Sequence, residues 1–285
     1  MNAKKADGVF KNQWAQAGTL SGVDPMIAAK IVESGDPAKD KVNVHKATIA
    51  AAALKPSQTT MVLEKAVGMA INMLATGKVG GDLQALISSD NYIMDGHHRW
   101  AASIIAAGSS AKVTGYQADL KGPELLRVLN VLTVGKFGIR HGKPGKGALT
   151  QFTPKNIEGI LTEYADKGIQ GDFPVPAAKV QEILTKNFGS VEQAIAVLSA
   201  NVKHMKRSVP SWAPDRKEMP VIDPDKNHVL PAVKALVNGE VDVFPPHKMA
   251  SLRVTASQRT AMIRLAATLP AGSEERRALL KALRK

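Results

Sequence analysis

From Thr59 to Thr76, the apolar residues Leu63, Val67, Ala70, Ile71 and Leu74 recur every third or fourth place. That is the spacing of one buried helical face, and Gly77 supplies the stop. A second such face carries Trp100, Ile104, Ile105 and Ala107 and stops at Gly108. Just upstream, Tyr92 to Met94 is a short apolar run that reads as a buried strand. Leu83 to Ser88 and Lys112 to Tyr116 read as further strands, with Ser89-Asp90-Asn91 as a tight turn. Val42 to Leu54 is alanine-rich and ambiguous between strand and helix, and Pro56 ends it.

Beyond residue 120 the period is helical. Pro123 to Leu132 has its proline in the first turn, and Thr153-Pro154 opens a helix with Ile157, Ile160, Leu161 and Tyr164 inward and Gly168 after it. Pro176 to Asn187 is another helix, and Ser190 with Gln193 makes a capping box for a third that reaches toward Arg207. Residues 208–250 hold seven prolines and read as an extended, loop-rich segment in which Trp212 is either a core anchor or a base-stacking platform. Two short helices are expected in residues 1–41, where Asp24-Pro25 is a cap and first-turn proline. Two more close the chain, one capped by Thr255 with Gln258 and one started by Ser273. The expected class is α+β: a small mixed sheet with helices, then a mainly helical region. The expected parts are an N-terminal helical arm (1–41), a sheet domain (42–134), a basic glycine-rich linker (135–149), a helical and proline-rich region (150–250) and a C-terminal helical hairpin (251–285).

The densest chemistry lies between the Tyr92–Met94 strand and the Trp100 helix, in Asp95-Gly96-His97-His98-Arg99. Gly96 lets the backbone turn sharply, and the first amides of the helix then face whatever lies above the strand end, a natural seat for phosphate. Taken singly, each residue has an ordinary reading: Asp95 as an N-cap, His97 or His98 as a satisfied core histidine, Arg99 as a solvated helix residue. A carboxylate, two imidazoles and a guanidinium in five positions favour the functional reading.

This turn, followed by Trp100-Ala101-Ala102, resembles the signature helix start of the ParB/sulfiredoxin superfamily, in the Asp-Gly-His-x-Arg form of the free serine kinases and their relatives. The upstream run Ala53-Leu54-Lys55-Pro56-Ser57-Gln58 is similar to the strand-Pro-x-Gln/Glu element that opens that domain. The resemblance covers roughly residues 42–120. It implies that Val42 to Leu54 is a strand, and that the domain binds ATP or ADP. The nucleotide residues would be Lys55, Ser57, Gln58, Gly96, His97, His98 and Arg99. It implies catalytic roles for Asp95, His97 and His98, with Asp95 orienting a hydroxyl acceptor or a magnesium ion (Mg2+). The related kinases place an acidic base near the Pro-x-Glu element. Here that place holds Gln58, which takes no proton, so Glu64 or Asp82 would have to serve. The absence of cysteine excludes the sulfiredoxin reaction, disulfides and thiolate chemistry.

A net charge of +13 and a pI near 9.8 make polyanions, nucleic acid first, the expected partners, against the plainer alternative of a soluble basic protein. Gly135 to Gly147 holds five glycines, four Lys/Arg and no acid. It lacks the Walker pattern, yet its amides and dispersed charge suit phosphate; a solvated linker would look the same. Lys136, Arg140, Lys143 and Lys146 in this stretch, with Lys203, Lys206 and Arg207, are the candidate nucleic-acid contacts. Lys203 to Arg207 would equally sit well at a helix C-terminus. No run of 18 apolar residues and no signal peptide is visible, so no membrane partner and a cytoplasmic location are expected. The C-terminal string around Leu-Pro-x-Gly-Ser-Glu-Glu-Arg-Arg resembles a tail on various phage-encoded proteins, which would place the chain in a host cytoplasm. The expected function is an ATP-dependent kinase or NTPase acting on a hydroxyl, on modified DNA or elsewhere. The alternative is a ParB-like DNA-binding or nuclease-like protein gated by nucleotide; a third is a phage accessory protein that keeps the fold without chemistry.

Overall fold

The computed structural model describes residues 42–137, 147–171, 174–213 and 229–238, together with Ala267. The sheet is built from β1 (Val44–Ala50), β2 (Lys55–Pro56), β3 (Gly81–Ile87), β4 (Tyr92–Asp95) and β5 (Lys112–Ala118). Helix α1 (Leu63–Thr76) lies between β2 and β3, and α2 (His97–Ala107) between β4 and β5. They are followed by α3 (Gly122–Phe137), α4 (Pro154–Lys167), α5 (Ala177–Phe188), α6 (Val191–Asn201) and α7 (Val229–Val237). The class is α+β.

The strand order is β1-β5-β3-β4-β2. The outer β1–β5 pair is antiparallel, β5–β3 parallel, β3–β4 antiparallel and β4–β2 parallel. The chain divides into two compact units: Val44–Gly122 with Lys143–Lys217, and Met1–Asn43 with Pro123–Gly142 and Glu218–Lys285. In the first, alternation sends Ile49, Ala85, Ile87, Ile93 and Val113 to one sheet face, where they meet the apolar stripes of α1 and α2. The same core continues into α4, α5 and α6 through Ile157, Leu161, Val180, Leu184 and Leu198, all fully buried. Trp100 of α2 is fully buried, and its indole N–H donates to the Ala51 carbonyl at 2.8 Å, so no polar atom is stranded by the burial. In the second unit, Leu125 and Leu132 of α3 and Leu236 of α7 are buried, and the Val42 amide donates to the Leu236 carbonyl at 3.4 Å.

Several boundaries differ from the sequence expectation. The run to Leu54 is a strand only to Ala50; Ala51–Ala53 is a single 3-10 turn whose Ala51 carbonyl serves the Trp100 indole. Helix α1 starts at Leu63 rather than Thr59, because the backbone of 59–62 is engaged elsewhere: the Thr59 carbonyl accepts from Leu149 and the Val62 amide donates to His98. Helix α3 runs on through Gly135-Lys136-Phe137, residues expected in the linker. The third helix after residue 150 ends at Asn201 and closes with a 3-10 turn, Val202–His204, short of Arg207. Ser190 does cap it, accepting from the Gln193 amide at 3.1 Å. The stretch 208–250, expected to be loop, contains α7 with Pro231 in its first turn, where a missing N–H is harmless. The helices expected in 1–41 and 251–285 lie outside the described residues, Ala267 excepted.

Candidate functional site

Strand β4 delivers the chain to Gly96, which has φ +95° and forms the N-cap of α2. A Cβ there would lie 3.3 Å from the Ala85 Cβ on β3 and 3.5 Å from the Arg99 guanidinium, so both conformation and space call for glycine. Gly96 brings no side-chain cap. Asp95, a candidate cap in the sequence, instead stands one place earlier and pairs with Arg99, 3.2 Å from guanidinium to carboxylate. Both are substantially exposed, so the pair itself adds at most about 1 kcal/mol.

The two histidines turn the other way. The Ser57 amide donates to His97 Nε2 at 3.2 Å, while the Ser57 hydroxyl donates to the Ile93 carbonyl at 2.7 Å. Ser57 is fully buried and His97 nearly so. The Val62 amide donates to His98 Nε2 at 3.0 Å. The first turn of α2 therefore grips both ends of the 57–62 segment, and through Val62 it lies beside the first turn of α1, whose N-cap Val62 is also without a side-chain bond. Between these grips the Gln58 side chain folds onto its own segment, donating to the Thr60 carbonyl at 2.9 Å. From the far side the Leu149 amide donates to the Thr59 carbonyl at 2.9 Å, and Gly147, at φ +76°, packs so closely on the Met61 carbonyl that a Cβ would collide with it.

Of the other sequence candidates, Glu64 joins this neighbourhood as the second residue of α1, exposed, with its backbone carbonyl accepting from the Tyr164 hydroxyl at 3.2 Å. Burial, then Glu64 and Glu163, push the Tyr164 phenol above its ordinary value. Asp82 is engaged on both oxygens, by the Lys46 ammonium at 2.8 Å and the Gln84 amide at 3.0 Å. The Lys46 contact, then the Gln84 amide, hold its carboxyl below the usual range, which makes it a poor base. Lys55 pairs with Tyr92 at the opposite end of β4, roughly 10 Å along the strand from Asp95. Its ammonium sits 4.0 Å from the centre of the Tyr92 ring, which Trp212 meets edge-on at 4.8 Å.

Lys206 and Arg207 each spend a donor on a carbonyl, Ala53 at 3.1 Å and Phe152 at 3.0 Å, while Lys203 is exposed. Lys136 falls in the last turn of α3; Arg140, Lys143 and Lys146 lie outside the described residues. Among the described residues no three His, Asp or Glu side chains gather as metal ligands, and no helix is long and apolar enough to cross a membrane. The contacts of the Val62 amide and of the 147–149 segment were invisible in the sequence, since a backbone donor leaves no mark in residue type. No family model, curated protein or solved structure matches the chain.

Proposed function

We propose that the 95–99 turn binds the phosphates of ATP or ADP, and that the protein is a phosphotransferase or NTPase with a hydroxyl acceptor. The observation that carries this reading is the start of α2: a left-handed Gly96 at a strand end, no side-chain cap, and the Arg99 guanidinium folded back over the turn. Helix-start amides and a positive dipole end favour an anion, and Arg99 adds a charge that phosphate oxygens match. A strand-glycine-helix turn of this kind stabilises the spread charge of a phosphoryl group in transit.

In the transfer, the acceptor oxygen bonds to the γ-phosphorus as the bond to the β–γ bridging oxygen breaks, ADP leaves, and the hydroxyl proton passes to a base. Gln58 cannot take it, and Asp82 is committed to Lys46. Glu64, exposed on the α1 turn that His98 ties to α2, is the carboxylate we assign to that role. Magnesium would enter with the nucleotide; such ions need only one or two carboxylates beside the phosphates, and Asp95 fits as one. An acceptor carried on DNA requires that the basic segments bind it, and the +13 charge supports a second reading, a ParB-like DNA-binding or nuclease-like protein gated by nucleotide.

Calorimetric titration with ATP and magnesium tests the site. Wild-type protein is expected to bind, and Arg99→Ala to bind more weakly by about 1.5–3 kcal/mol, the scale of a hydrogen bond to a charged group. Equal affinity in both sinks the assignment.

A further inference from the structure

Each histidine of the doublet has two ends. Its backbone belongs to the first turn of α2, and its ring holds the 57–62 segment. Each ring accepts from a backbone amide: Ser57 N–H to His97 Nε2 and Val62 N–H to His98 Nε2. A nitrogen that accepts an amide proton carries none itself, so in each neutral ring the proton sits on Nδ1. The Ser57 hydroxyl lies 3.3 Å from the same His97 nitrogen, yet its one proton is directed at the Ile93 carbonyl at 2.7 Å, so it does not compete for the role.

We propose that His97 and His98 are positioning residues: their neutral, Nδ1-protonated rings latch the 57–62 segment to the first turn of α2 and so fix the relative placement of the α1 and α2 starts. The rings are then not the cations that balance phosphate, and Arg99 is left to do so. A segment of six residues with no helical ladder of its own depends on such outside bonds for its register. The Leu149 amide on the Thr59 carbonyl and the Gly147 backbone against Met61 hold its middle, and the two imidazoles hold its ends. The consequence for nucleotide rests on the function proposed above: loosening the latch tilts the amides that would receive phosphate.

The test uses the full chain, with nitrogen-15 NMR of the imidazoles and amide exchange at Val62, in wild type, His98→Gln and His98→Leu. Gln is chosen because its carbonyl reaches about as far as Nε2 and can accept the same proton, whereas Leu keeps bulk without an acceptor. Expected are Nδ1-protonated tautomers for both rings in wild type, and Val62 exchange that rises roughly tenfold in the Leu variant, the effect of losing one hydrogen bond. Exchange should return toward wild type in the Gln variant. Nε2-protonated rings, or Val62 exchange indifferent to His98→Leu, overturn the proposal. ATP affinity is read on the same three proteins: loss in Leu with rescue by Gln extends the latch to ligand binding, and affinity unchanged in Leu overturns that extension. A wild type that binds no ATP while the tautomers and exchange follow expectation fails the nucleotide reading alone.

Discussion

At the scale of the residue, Asp95 is the group whose role the surroundings narrow most. It is not the cap of α2, since Gly96 holds that position, and among the described residues it pairs with Arg99 at 3.2 Å. A carboxylate placed there opposes an incoming phosphate and competes for the guanidinium. Asp95→Asn keeps the shape, so the protein should fold with an unchanged Tm, because an exposed pair of this kind is worth about 1 kcal/mol or less. Nucleotide should still bind, while turnover falls if Asp95 orients the acceptor or the magnesium ion. Normal turnover in this variant, measured as ADP release, removes Asp95 from the mechanism. The residue types of the turn were legible in the sequence, and so was the need for glycine. The direction of the imidazoles was not: their partners, Ser57 and Val62, are 40 and 36 positions away, and the contact is to main-chain nitrogen, which no pattern of side chains announces.

At the scale of the element, the helices whose apolar face is long and periodic stand close to where their spacing puts them; α4 runs Pro154–Lys167 with Thr153 as its cap, accepting from the Asn156 amide at 3.3 Å. Elements fixed by distant backbone partners were less legible, as the late start of α1 and the early end of β1 illustrate. Gly147 bears on the first of these. It holds φ +76° against the Met61 carbonyl, so Gly147→Ala forces both a left-handed alanine and a shift of the 61–62 backbone. A loss of about 1–3 kcal/mol is expected, the cost of a residue held in a sparsely populated backbone region, with faster amide exchange at Val62; a chemical denaturation midpoint equal to wild type would show that the 147–149 contact is dispensable. The β1–β3 pairing across β5 offers a pH test. Asp82, with its carboxyl held low by Lys46, adds stability above the ordinary aspartate range, and that addition disappears as pH falls through its folded value. Asp82→Asn should therefore lower the neutral Tm slightly, since the pair is exposed, and flatten the acid limb of a Tm–pH curve below about pH 4, where variant and wild type converge. The opposite, a variant that matches wild type at neutral pH and loses stability only in acid, would contradict the assigned direction.

At the scale of the molecule, the positive excess is unevenly spread, and that decides what the charge can do. Residues 148–202, the helical part that packs on α1 and α2, hold four lysines against six acidic residues, so this layer repels polyanions as much as it attracts them. Helix α6 has Glu192 in its first turn and no Lys or Arg anywhere, which is a poor composition for reading a groove. The excess lies in 135–147, with four cations and no acid, in Lys203, Lys206 and Arg207, and in the chain beyond 214. Lys206 and Arg207 already serve carbonyls, so their charge is held at fixed points rather than spread on mobile arms. A DNA-linked substrate or partner would thus be gripped through phosphate, without base readout from α6. Duplex binding should weaken steeply with salt, with a log–log slope of about −0.9 per phosphate neutralised. Replacing Lys143 and Lys146 together by Ala should flatten that slope by roughly one to two units and leave any sequence preference unaltered. A gel-shift titration from low to physiological salt reads both quantities. Binding that ignores the double replacement would move the contact away from the glycine-rich segment. Failure to bind duplex or single strand even at low salt would end the DNA-linked reading, and the hydroxyl acceptor would then be a small molecule that reaches the Asp95 turn unaided by the basic surface.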